Sequence, residues 1–71
     1  MLGSTVRELA RANPFVRFVI QMNDGRRFTV SHPDYISVSP KGGKLIVYDN
    51  KENETHLSGL LVASVKTTEK S

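Results

Sequence analysis

Seventy-one residues without a cysteine make one small domain, with no disulfide or thiolate metal site to reinforce a single core. Ten Lys and Arg against seven Asp and Glu leave a net charge of +3, a mildly basic balance spread along the chain rather than gathered into one run. No apolar run approaches the roughly 20 residues that cross a bilayer, and Met1-Leu2-Gly3-Ser4 lacks the charged-then-apolar build of a secretory leader. A soluble, cytoplasmic protein of one domain (residues 1–71) is expected.

The first predicted element is a helix over about residues 5–13. Thr5-Val6-Arg7-Glu8 has the form of a capping box, and Pro14 disfavours helical geometry at Asn13. Val6, Leu9 and Ala10 form a narrow apolar stripe suited to lying on a sheet. The strands are expected over about residues 15–66. From Phe15 to Met22 the pattern alternates, with Phe18, Ile20 and Met22 on one side and Arg17, Val19 and Gln21 on the other. Asp24-Gly25 then predicts a type I′ hairpin turn with positive φ at both residues. In the next run Phe28, Val30 and His32 alternate with Arg27, Thr29 and Ser31, until Pro33-Asp34 breaks the strand.

Tyr35 to Val38 resumes as a strand with Ile36 and Val38 inward. Ser39 to Gly43 is a turn cluster, and Lys44 to Tyr48 a further strand. Asp49 to Glu54 reads as a polar, solvated loop. Thr55 to Leu57 extends again, Ser58-Gly59-Leu60 turns, and Leu61 to Lys66 is the last strand. The tail, residues 67–71, has no apolar anchor and is expected to be flexible. Short strands with tight turns predict a mainly β fold: a small, five-stranded antiparallel barrel behind a short N-terminal α-helix. Closure would remove the exposed sheet edges.

Asn13-Pro14-Phe15, Asp24-Gly25-Arg26, His32-Pro33-Asp34 and Leu60-Leu61-Val62 together resemble a family of short, uncharacterised bacterial proteins. More loosely, a helix, a strand, an Asp-Gly-Arg turn and further strands are similar to the Sm-like (Hfq-like) small β-barrels; the strand count also suits SH3-like barrels. The Sm-like resemblance implies a homo-oligomeric ring that binds single-stranded RNA near its pore. The chain departs from that pattern where Val30 stands in the region of a strand-two glycine, and where Ser37 and Val38 replace a base-contacting asparagine. Of the Tyr-Lys-His element only His56 is shared, in Glu54-Thr55-His56.

Catalytic and metal chemistry lack their residues. His32 and His56 are the only histidines, without the spaced partners of a metal site, and His32 reads as a turn residue bonding nearby backbone. Gly42-Gly43-Lys44 is too short for a phosphate-binding loop and precedes no helix. No serine sits in a nucleophile elbow or beside a lysine base. A non-catalytic binding and assembly module is therefore expected, with no cofactor and no metal. In the nucleic-acid reading, Arg26, Arg27, Lys41 and Lys44 meet phosphates while Tyr48 or His56 approaches bases. Phe15, Phe18 and Phe28 are assigned to packing. The alternative is a protein-interaction or structural barrel that docks a peptide or adds a partner's strand.

Overall fold

The computed structural model describes residues 2–49, 51 and 53–68. In chain order, α1 (Leu2–Ala10) is followed by β1 (Phe18–Met22), β2 (Arg27–Val30), a 3-10 turn (Pro33–Tyr35) and β3 (Ile36–Val38). Then come β4 (Lys44–Tyr48), β5 (Glu54–Ser58), a second 3-10 turn (Gly59–Leu61) and β6 (Val62–Thr67). Thr67 thus ends a strand rather than beginning a tail, and Thr68 N–H donates to Arg17 O. The remainder of the expected flexible tail, from Glu69, lies outside the described residues.

The closed five-stranded barrel is not what forms. Among the described residues the strands are six and make two three-stranded antiparallel sheets, ordered β2-β1-β6 and β3-β4-β5. Closure fails at the two 3-10 turns. Between β2 and β3, Pro33 has no N–H to donate, and His32 caps the turn by accepting the Asp34 N–H at Nδ1, 3.1 Å. The chain leaves one ladder there and enters the other. Between β5 and β6, Ser58 caps Gly59–Leu61 through Oγ in the same manner, so β5 stays with β4 while β6 crosses to β1. Thr55-His56-Leu57 is the centre of a full strand, giving six where five were expected. Helix α1 packs on β6, β3 and the second 3-10 turn, covering one side of the sheet pair.

Helix α1 begins at Leu2, so Thr5 and Glu8 are interior helical residues and the capping-box prediction fails. Tertiary contact outweighs that local signal. Gly3 is buried against the β3–β4 turn, and Val6 is fully enclosed in the core. The helix tightens and ends when Arg11 N–H is shared between Arg7 O and Glu8 O, both at 3.2 Å. Three glycines make that docking fit. A Cβ on Gly3 or on Gly59 would overlap the carbonyl oxygen of Gly42. One on Gly42 would stand 2.5 Å from Ser4 N and 2.8 Å from Gly3 O.

Alternation in the sequence does map onto the core. Phe18, Ile20 and Met22 of β1 meet Val30, Ile36, Leu45, Val47, Leu57, Val62 and Val6 in one apolar cluster. Full burial of each such side chain is worth about 1.5–3 kcal/mol. Phe28 and Val38 pack against its margin, while His32, expected to continue the alternation of β2, is exposed beyond the end of that strand.

The β1–β2 turn lies one residue earlier than expected. Gly25 N–H donates to Met22 O at 3.0 Å, which puts Asn23 and Asp24 at the centre of the turn. Gly25 follows at φ +93°, and Met22 N–H closes the loop on Arg26 O at 2.8 Å. This is a three-residue connection of the G1-bulge kind rather than a two-residue type I′ turn. A Cβ at Gly25 would meet nothing within 4 Å, so only its backbone conformation restricts it. Gly25→Val is accordingly expected to cost about 1–3 kcal/mol, read from the urea unfolding midpoint. An unchanged midpoint would mean that residue 25 does not need positive φ.

Candidate nucleic-acid interface

Of the six residues expected at phosphates or bases, the fold brings Arg27 and Tyr48 to one groove, and on the other sheet it sets Lys44 beside His56 and beside Lys41. Arg27, at the start of β2, and Tyr48, at the end of β4, line one groove between the sheets, about 560 Å³ in volume. Its near wall is the free edge of β2, with Arg27, Phe28, Thr29 and Ser31; its far wall is Val47, Tyr48 and Thr55. Arg17, just before β1, joins the same groove. Both arginines are exposed, while Phe28 and Tyr48 are half-buried and offer ring surface beside the charge. Arg17 is absent from the residues picked out in the sequence. Its signal was its parity with Val19 and Gln21, which sets it outward from a buried strand.

Asp49 is the carboxylate among the groove's lining residues, and it is turned to its own loop. It accepts the N–H groups of Lys51 (2.8 Å) and Asn53 (2.9 Å) and the side-chain amide of Asn53 (3.1 Å). The Asn53 backbone bond is the largest influence holding the Asp49 carboxyl below its ordinary value. Asp24 is held low in the same way, first by the Arg26 N–H. Both should titrate below 3.8 in an NMR pH series. A folded value below the unfolded one means that these contacts stabilise at neutral pH, and that this contribution is lost as pH falls through the depressed value. Titration at or above 3.8 would show that the two turns are not held by these bonds.

The other four residues stand elsewhere. Arg26 donates through Nε to Asp24 Oδ2 at 2.7 Å and lies 5.7 Å from the Phe28 ring centroid, at the β1–β2 turn and outside the groove's lining. Lys41 lies in the β3–β4 turn, and Lys44 opens β4, where its N–H donates to Ser39 Oγ. Lys44 and Tyr48 are at opposite ends of one strand, about 14 Å apart at strand rise. His56 sits opposite Ile46 on β5, with Nε2 2.9 Å from Glu54 Oε1. The basic residues thus divide between the two sheets, with Lys44 and His56 lining one shallow depression beside Ile46 and Lys41 and Lys44 another at the β3–β4 turn.

No buried polar or charged side chain occurs among the described residues, so no burial-tuned acid or base is on hand. Among the same residues no group of three or more His, Asp or Glu has metal-site geometry, and no helix is long and apolar enough to cross a membrane. No protein-family model matches the chain, and no curated protein or solved structure gives a significant match.

Proposed function

We propose that this protein is a non-catalytic binding module that takes a single-stranded nucleic acid along the open groove between its sheets. The observation that carries the reading is that Arg17, Arg27 and the rings of Phe28 and Tyr48 all line that groove. Cations meet phosphates, and aromatic faces accept bases of any identity, which is how sequence-tolerant single-strand binding works. Base stacking on such a ring contributes about 1–3 kcal/mol per base.

Fluorescence anisotropy of a labelled uridine or adenosine oligonucleotide of about 12 nucleotides tests it. Binding should be present at about 50 mM salt and fall steeply by about 200 mM, because phosphate neutralisation releases counterions. Tyr48→Ala should weaken it at both salt concentrations. Absence of binding at the lower salt would end the reading.

A second reading has one observation behind it: β2 is an edge strand whose free side borders the groove, so an extended peptide has a ladder to join. Self-association through an edge strand would also serve the homo-oligomer expected from the chain's size. Light scattering on nuclease-treated and untreated samples separates these outcomes. An oligomer that survives nuclease is held by protein contacts alone.

A further inference from the structure

The outer face of the first sheet adds one further cation, Lys66, to the two arginines of the groove, and it is continuous with the groove. Ladder pairing places Arg27 and Ser64 on either side of Gln21, and Thr29 and Lys66 on either side of Val19. Arg17 precedes Val19 by two residues on the same side of β1, and its carbonyl accepts the Thr68 N–H. Arg17, Arg27 and Lys66 therefore share one surface, all three exposed, with hydroxyls, an amide and Val19 between them and no carboxylate at any of these positions. Arg27 belongs to both features, because it borders the groove and also the shallow depression over Gln21, Ser64 and Lys66.

We infer that the bound strand leaves the groove at Arg27 and crosses this sheet face, where Lys66 binds a further phosphate. The inference rests on the nucleic-acid reading of the groove and assigns its exit path. From strand spacing and rise, the Lys66 Cα lies about 8 Å from that of Arg17 and about 12 Å from that of Arg27. Flexible cationic side chains bring these positions within reach of phosphates a few nucleotides apart. A polyanion is the occupant that fits, because the face presents cations and hydrogen-bonding side chains and, among the described residues lining it, no carboxylate. Lys41 and Lys44 lie off this path.

The test is the salt dependence of binding to a uridine oligonucleotide of about 12 nucleotides. Each phosphate contact on a single strand contributes about −0.7 to the slope of log K against log salt. Lys66→Gln should make the slope shallower by about 0.7, Lys66→Arg should restore it, and Lys44→Gln should leave it unchanged. Lys66 is exposed, so thermal melts should confirm that the variants remain folded. If Arg27→Gln weakens binding while Lys66→Gln leaves the slope unaltered, the exit path is wrong and the groove reading stands. If the unmodified protein binds no oligonucleotide at low salt, both fall.

Discussion

Gly42→Ala will remove most of this protein's folding free energy. The new methyl would sit 2.5 Å from Ser4 N and 2.8 Å from Gly3 O, contacts with backbone that no rotamer change relieves. Forcing extra volume into packed structure costs about 1–3 kcal/mol. Gly42 is also at φ +75°, where a side chain adds about 1–2 kcal/mol of strain. Against the roughly 3–5 kcal/mol that a core of this size supplies, little would remain.

The melting temperature should fall by at least about 10 °C, given a shift of about 4–8 °C per kcal/mol in domains of this length. Gly43→Ala is the matched control. A Cβ there meets nothing within 4 Å, so its melting temperature should hardly move. Equal melting of the two variants would disprove the close approach of α1, the β3–β4 turn and the Gly59–Leu61 turn.

The second large effect concerns binding. Arg17→Glu combined with Arg27→Glu should reduce oligonucleotide affinity on the order of a thousandfold, since each reversal replaces an attraction of about 1 kcal/mol with a comparable repulsion. Both side chains are exposed, so stability should stay within about 0.5 kcal/mol of the unmodified protein. The same reversals at Lys41 and Lys44 add equal negative charge in the other sheet's hairpin. Screening over about 8 Å at physiological salt should make their effect far smaller. Equal losses from both pairs would mean that binding follows net charge rather than the groove, and would refute the site.

That site was half visible beforehand. Arg27 and Tyr48 line the same groove, but Lys41 and Lys44 join them in the sequence reading only through basic character in an Sm-like layout, and His56 only through the histidine it shares with that family's motif. Arg26 illustrates the difficulty: it adjoins Arg27 in sequence, yet its side chain pairs with Asp24 in the turn instead of lining the groove. Lys66 was invisible as a partner of Arg17, because only the β1–β6 ladder places it opposite Val19. A charge's neighbours across a sheet depend on which strands pair, and composition carries no record of that.

What the sequence by itself determined is local and periodic. The alternation of Phe18, Ile20 and Met22, with Leu45 and Val47 later, sets which face of each strand is apolar, because side chains reverse direction at every residue. Proline at 33 and the capping hydroxyl of Ser58 likewise mark where strands must stop. Tertiary structure decided the rest. It began α1 at Leu2 instead of at the Thr5 capping box, because Gly3 fits against Gly42 and Gly59. It also sent β6 to β1 and left β3 with β4, making two sheets with an open groove in place of a closed barrel. Hydrogen-bond ladders join residues as far apart as Phe18 and Thr67, and the free energy that selects them comes from a core assembled by all the elements at once.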